Sequence, residues 1–195
     1  MAAWALPALG AAQTVELAGA RFAPNVQMGS HTLGLNGAGI RYRFVVKVYA
    51  AGLYLSRKAA TAEAAIAAPG AKRLHVVMLR DIDANELGRL FTRGMQDNAP
   101  KEEFSKSIPG TLRMADIFSA KRRLVAGDTF SIDWVPGQGT TVLINGKASG
   151  EPIVEPEFFS ALIRIWLGSK PADEALKAAL LGQAVSNTGG SPGQQ

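Results

Sequence analysis

The stretch of residues 37–55 constrains the fold of this chain more than any other part of the sequence. It reads GAGIRYRFVVKVYAAGLYL, in which glycines come first and apolar and polar side chains then alternate. A period of two residues, combined with many Val, Tyr and Phe side chains, is typical of a half-buried β-strand rather than of a helix. We therefore predict one long strand here, which Gly52 bends or bulges.

The two faces of this predicted strand differ in chemistry. The face with three cations and a phenol consists of Arg41, Arg43, Val45, Lys47 and Tyr49. The opposite face, apolar apart from one phenol, consists of Tyr42, Phe44, Val46, Val48 and Ala50. We expect the apolar face to lie against a core and the cationic face to meet solvent or a ligand, because charges are rarely buried without partners. A guanidinium and a phenol on one face can hold an oxyanion, so Arg41 and Tyr49 are candidate ligand-binding residues.

The rest of the sequence predicts an α+β fold in a single domain, residues 14–183. Alternating runs bounded by turn residues predict strands at 14–17, 21–23, 31–35 and 73–80 and a β-meander over 128–149. Helical spacing and capping residues predict helices at 61–68, 84–98, 100–107, 111–119, 155–168 and 172–181. Because strands and helices come in blocks instead of alternating, we expect a mainly antiparallel sheet with a layer of helices on one face.

Charge and composition limit the classes of function. The formal net charge of +5 suits an anionic ligand, a membrane surface or nucleic acid. Nucleic-acid binding is disfavoured because the cations are scattered and no recognition-helix or RNA-binding aromatic motif accompanies them. The chain has no cysteine, which excludes a disulfide, a thiol nucleophile and a cysteine metal site. His31 and His75 stand in no metal-ligand spacing and are interpreted as structural, so we predict neither a metal nor a cofactor.

The two ends of the chain differ from the rest. Residues 1–13 are small and apolar, and Gly-Ala-Ala before Gln13 matches the pattern that signal peptidase cleaves, although a preceding basic segment is missing. We interpret residues 1–13 as the remnant of a signal peptide and expect an exported, periplasmic protein. A disordered N-terminus on a cytoplasmic protein is the alternative. Residues 184–195 are rich in Gly, Ser and Gln, which predicts a disordered tail. Elsewhere we predict no transmembrane segment.

Several motifs resemble those of the chalcone isomerase-like proteins of bacteria. They are GIR at 39–41, KVYAAGLYL at 47–55, PGQGT at 136–140, the helix at 159–168 ending in IWLG, and residues 176–182. The resemblance covers residues 15–182. It implies an open-faced β-sandwich, in which a large antiparallel sheet carries a helix layer on one side and the ligand cleft lies between sheet and helices.

The resemblance also implies roles for individual residues. Plant chalcone isomerases bind their ligand with an arginine that follows a Gly-Val pair, a threonine, and a tyrosine and an asparagine seven residues apart on a helix. Arg41 matches that arginine, and Tyr49 falls where the threonine would stand. In fatty-acid-binding relatives an arginine and a tyrosine hold the carboxylate, which Arg41 and Tyr49 resemble more closely. The predicted helix at 84–98 has no tyrosine, which puts isomerase chemistry in doubt.

Two functions stay open at this point. The favoured one is a non-catalytic, monomeric protein that binds a fatty acid or a similar amphipathic carboxylate, with Arg41 and Tyr49 on the head group and the helix at 156–167 beside the tail. The alternative is an isomerase that cyclises a phenolic enone of the chalcone type, with Arg41 stabilising the phenolate. Two structural interpretations also stay open, namely that Arg41 pairs with an acid at the sheet edge and that Tyr49 only packs in the strand.

Overall fold

The structure is a computed structural model that describes residues 13–183. The predicted signal-peptide remnant, apart from Gln13, and the predicted tail lie outside the described residues. They stay predictions, as does export. Between residues 13 and 183, no helix is long and apolar enough to cross a membrane.

A seven-stranded sheet, antiparallel at every strand pair, forms the centre of the fold. In spatial order its strands are β11 (Lys147–Ala148), β10 (Gly139–Ile144), β9 (Thr129–Val135), β6 (Lys72–Met78), β5 (Val46–Leu55), β4 (His31–Arg43) and β3 (Asn25–Met28). Two small two-stranded sheets pair β1 (Val15–Leu17) with β2 (Ala20–Phe22), and β7 (Ile82–Asp83) with β8 (Arg123–Leu124).

Five helices lie among the described residues, and all of them contribute to the core on one face of the large sheet. They are α1 (Ala62–Ala67), α2 (Ala84–Asn98), α3 (Lys101–Lys121), α4 (Pro156–Leu167) and α5 (Glu174–Leu180). An edge-to-face cluster of aromatic rings, Phe91, Phe118, Phe130 and Trp166, joins α2, α3 and α4 to the sheet. The predicted α+β class, with a mainly antiparallel sheet and helices on one face, is therefore confirmed.

The stretch that we predicted as one long strand is in fact a hairpin, so that prediction was wrong. The chain reverses at Phe44 and Val45, between β4 and β5. Alternation continues on both sides of the turn, and no Gly, Asn or Pro marks the reversal, so the pattern alone could not locate it. Phe44, expected against the core, is 93% exposed. The irregularity expected at Gly52 is also absent, since the register shifts fall between Leu35 and Gly37 and between Arg41 and Tyr42.

The predicted break at residues 108–110 is likewise absent, because α3 runs continuously through Pro109. Pro109 removes one backbone donor, and Ile108 at this point is half-exposed. The next residue, Gly110, packs closely against α4 and the segment that precedes it: a Cβ there would lie 2.8 Å from Phe158 Cγ and 2.5 Å from Ile153 Cγ2. Packing of the two helices at this glycine therefore outweighs the local tendency of the Ile-Pro-Gly sequence to end a helix.

The opposite face of the sheet carries a second, smaller core that the β1–β2 hairpin covers in part. Phe22 of β2 lies edge-to-face on His75, with ring centroids 6.0 Å apart. His75 Nδ1 lies 2.7 Å from Ser131 Oγ, and Arg73 Nε donates to Asp133 Oδ1 over 2.6 Å. These contacts give His75 a structural place between two strands, as the sequence analysis expected of it.

Candidate functional site

The β4–β5 hairpin brings the two predicted site residues together. Arg41 on β4 is the cross-strand partner of Tyr49 on β5. The Arg41 Cζ atom lies 5.8 Å from the centroid of the Tyr49 ring, within cation–π range. We had placed both residues on one face of a single strand. They share a face instead because residues directly opposite in an antiparallel pair point the same way.

Arg41 and Tyr49 lie at a cavity between the sheet and the helix layer. The cavity has a volume of about 150 Å³. Its apolar wall consists mainly of Val48, Leu87, Leu90, Phe91 and Ile165, and its polar edge of Arg93, Asp97, Asn98 and Lys170. Most of this wall comes from α2. Of the helix at 156–167, which we expected beside a ligand tail, only Ile165 lines the cavity.

The Arg41 guanidinium is only partly satisfied by the protein. Its Nε atom is buried and has no hydrogen-bond partner within residues 13–183, and none of the ion pairs in this range includes Arg41. Asp173 lies next to this part of β4, since its carboxylate accepts from the backbone N of Tyr42 over 3.0 Å. The same carboxylate accepts from Leu176 N over 2.9 Å, and it forms no ion pair with Arg41. A buried N–H without an acceptor costs free energy, so Arg41 is suited to receive an acceptor from a ligand.

The Tyr49 hydroxyl is held in place by Trp166 of α4. Trp166 Nε1 donates to Tyr49 Oη over 2.8 Å, and the two side chains are 1% and 2% exposed. Burial raises the pKa of Tyr49 to about 12, although the Arg41 charge and the Trp166 hydrogen bond act in the opposite direction. The phenol therefore stays neutral near pH 7 and keeps its own proton for donation. Trp166 is not recognisable as a site residue from the sequence, because it lies 117 residues from Tyr49 and no local pattern links the two.

Helix α2 supplies Phe91 and Asn98 to the cavity, seven residues apart in the sequence. Phe91 has no hydroxyl, and its ring packs on Trp166 with centroids 5.4 Å apart. The Asn98 amide is used structurally: Nδ2 donates to Gly94 O and to Lys170 O, and Oδ1 accepts from Lys170 N. These two positions therefore offer neither a phenol nor a free amide to a ligand.

No group of three or more His, Asp or Glu side chains in residues 13–183 is arranged to hold a metal ion. Arg43 and Lys47, which we placed on the cationic face, are both exposed. Tyr54 is buried in the smaller core on the opposite face of the sheet and does not line the cavity. The chemistry that the site offers is thus hydrogen-bond donation and positive charge next to an apolar wall.

The chain matches the sequence profile of a family described as chalcone isomerase-like over residues 14–182. No curated protein sequence matches the chain. Among solved structures, a fatty-acid binding protein of Arabidopsis thaliana is similar to it, with a TM-score of 0.70 and 15% sequence identity. The similarity covers 87% of this chain and 96% of the plant protein. At this identity the likeness shows a shared fold, and the matched residues agree with the extent expected from the sequence motifs.

Proposed function

We propose that this protein, which belongs to the chalcone isomerase-like family, binds a fatty acid or a similar amphipathic carboxylate in the cavity between its sheet and its helices. The observation that carries the proposal is the buried Nε of Arg41, which has no hydrogen-bond partner among residues 13–183, beside the neutral hydroxyl of Tyr49. Both groups have a proton to donate to a ligand at the edge of an apolar wall. A ligand that supplies an anionic acceptor and an apolar chain complements both parts.

The head group would accept hydrogen bonds from both residues. A guanidinium offers a planar fork that matches the two oxygens of a carboxylate, and charge-assisted hydrogen bonds are stronger than neutral ones. Tyr49 has its oxygen fixed by Trp166, which leaves its proton to donate. Such an arrangement is organised before the ligand arrives, so little side-chain entropy is lost on binding.

The cavity size bears on the length of the ligand tail. Pockets for drug-sized ligands typically have volumes of about 300–1,000 Å³, whereas the volume here is about 150 Å³. We therefore expect a short acyl chain to bind with little rearrangement and a long one to displace part of the wall. Leu90 of α2 is half-exposed at this wall and is the side chain with the most freedom to move aside.

Two observations favour binding over isomerisation of a phenolic enone. The pKa of about 12 keeps Tyr49 from acting as a base near neutral pH. Phe91 and Asn98, the α2 residues with the spacing of the isomerase pair, offer no proton donor to a substrate. The plant protein of the same fold is named for fatty-acid binding, which supports the proposal as an analogy.

The test is titration of a fluorescent fatty acid against the wild type and single variants. Arg41→Ala should weaken binding about ten- to hundredfold, since hydrogen bonds to charged groups contribute about 1.5–3 kcal/mol. Tyr49→Phe removes a neutral donor and should weaken binding about fivefold. Arg41→Lys should restore affinity only in part, because an ammonium lacks the fork. Arg43→Ala, which removes an exposed cation nearby, is the matched control and should change affinity little.

Melting curves must show that each variant is folded. Equal affinities of the wild type and a folded Arg41→Ala variant would contradict the head-group assignment. The same proteins should not accelerate chalcone cyclisation by anything near the roughly million-fold typical of enzymes. A large acceleration that Arg41→Ala abolishes would reverse the choice between binding protein and isomerase.

A further inference from the structure

Large apolar side chains at the turn of the β4–β5 hairpin are exposed to an unusual extent. When exposure is measured with residues 13–183 present, Phe44 and Val45 are 93% and 91% exposed. Tyr42 and Val46 beside them are about two-fifths exposed. We call residues 42–47 the hairpin tip. Single exposed apolar side chains are common, but four adjacent ones at the end of a protruding hairpin form a patch of the kind that marks an interaction surface.

The backbone conformation at Phe44 indicates that the exposed side chains of the hairpin tip do not serve stability. Phe44 has a φ of +55°, in the left-handed region that favours glycine. Two-residue hairpin turns usually place Gly, Asn or Asp at such positions. The hairpin tip therefore combines a strained backbone at Phe44 with nearly complete exposure of its ring. Strain of this kind, held without a benefit to packing, points to a functional role.

The charges around the apolar side chains are positive. Arg43 and Lys47 flank them, are exposed, and form no ion pair within residues 13–183. No acid near this end of the molecule forms an ion pair with Arg43 or Lys47 within residues 13–183. These acids, all outside the hairpin tip, are Asp81, Asp83, Glu86 and Asp173. Asp81 accepts from Arg123 over 2.6 Å, and Asp173 caps α5. An apolar tip with a cationic collar is complementary to a bilayer that contains anionic lipids.

The hairpin tip also adjoins the candidate binding site. Phe44 is three residues from Arg41 along the chain, or about 10 Å at the usual rise of a strand. A second cavity of about 170 Å³ lies on this side of Arg41. Its other charged lining residues are Arg43, Arg80, Asp81, Asp83 and Glu86. The arginine side of the proposed binding site therefore faces the same end of the molecule as the exposed apolar side chains.

We infer that the hairpin tip docks this protein onto an anionic lipid bilayer. Phe44 and Val45 enter the acyl boundary, while Arg43 and Lys47 contact the lipid head groups. The docking rests on the geometry of the hairpin tip alone. Only its purpose, to exchange an amphipathic carboxylate between the bilayer and the Arg41 cavity, rests on the proposed function.

The experiment is co-flotation of the protein with vesicles of phosphatidylcholine and phosphatidylglycerol, and with vesicles of phosphatidylcholine alone. The wild type should bind the anionic vesicles more tightly, and salt should weaken this binding. The double variant Phe44→Gly/Val45→Ser should bind at least about tenfold more weakly, because two large apolar side chains no longer enter the acyl boundary. The matched control Leu112→Ser/Val154→Ser removes two other exposed apolar side chains, 62% and 64% exposed, and should bind as the wild type does.

The outcomes separate docking from ligand binding. Glycine suits the backbone of residue 44, so the double variant should melt no lower than the wild type. Unchanged vesicle binding by this variant would overturn the inference. The inference would also be overturned if the wild type binds no vesicles but self-associates, and if the double variant does not self-associate. The hairpin tip would then be an interface with a second copy of the chain. In solution the double variant should keep its affinity for the fluorescent fatty acid, and Arg41→Ala should keep vesicle binding. If Arg41→Ala keeps both its affinity for the fatty acid and its vesicle binding, the proposed function is refuted and docking is not.

Discussion

Removal of the Tyr49 hydroxyl tests how the candidate site is built, independently of any ligand. In Tyr49→Phe the buried Nε1–H of Trp166 loses its acceptor at 2.8 Å. The substitution keeps the ring and its packing, so the change in stability reports the hydrogen bond and little else. Because both side chains are almost fully buried, water cannot easily replace the lost acceptor.

The expected magnitude follows from that burial. A buried donor left without a partner costs about 1–3 kcal/mol, more than the net value of an average hydrogen bond. For a domain of this size, each kcal/mol of lost stability lowers the melting temperature by about 2–4 °C. We therefore expect Tyr49→Phe to melt several degrees below the wild type and to unfold at a lower urea concentration with an unchanged m-value.

Tyr54→Phe is the matched control for this substitution. Tyr54 lies on the same strand and is also 2% exposed, and burial likewise raises its pKa to about 12. None of the buried side-chain hydrogen bonds within residues 13–183 involves its hydroxyl. Its removal should therefore change the free energy of unfolding by less than about 0.5 kcal/mol, since no partner is left unsatisfied.

A double-mutant cycle completes the test. Trp166→Phe removes the donor as well as part of the ring, so by itself it also lowers stability. In the Tyr49→Phe background it should cost less, since the orphaned N–H disappears with it, and the coupling free energy should be about 1 kcal/mol or more. Equal stabilities of Tyr49→Phe and Tyr54→Phe, or additive effects in the cycle, would refute the view that Trp166 holds the phenol in place.

Two further predictions concern the sheet. Burial and the Arg73 charge lower the pKa of His75, so the unfolded chain takes up a proton more readily than the folded one. The free energy of unfolding should fall as the pH drops below about 6.5; urea unfolding of His75→Gln should show a smaller fall, and an equal one would refute this. At Gly52 a Cβ would lie 2.5 Å from Phe22 Cδ1, whereas at Gly34 its nearest contact would be 3.7 Å away. Gly52→Ala should lose about 1–3 kcal/mol and Gly34→Ala much less, and similar melting temperatures for the two variants would contradict this.

Elements with strong local signals were predicted well from the sequence. Helix α2 begins and ends where the pattern placed it, and the Asp83 side chain accepts from Glu86 N as the capping motif indicated. The meander of β9, β10 and β11 follows from two turns with glycine. Helix α4 likewise ends at Gly168. Capping residues and turn glycines act within a few residues of their own position, so one sequence is enough to recognise them.

The candidate site shows the limit of this reasoning. Arg41 and Tyr49 were chosen because they share a face, and the structure brings them together across two strands instead of along one. Their role in ligand binding stays a prediction. The backbone at Phe44 has a conformation that glycine adopts more easily. Because the residue there is not glycine, the sequence gives no sign of the turn. Where a chain reverses without such a residue, contacts with the neighbouring strands decide the position of the turn.

The sequence by itself determined the fold class, most of the helices and strands, and the family to which the chain belongs, because periodicity and motifs are written in consecutive residues. Only the tertiary structure decided which distant side chains meet. Trp166 reaches Tyr49 over 117 residues, and Ser131 reaches His75 over 56. The tertiary structure also decided that α3 continues through Pro109, where Gly110 packs closely against its neighbours. It likewise left Arg41 Nε without an acceptor among residues 13–183. These properties depend on packing between elements, which no local pattern encodes.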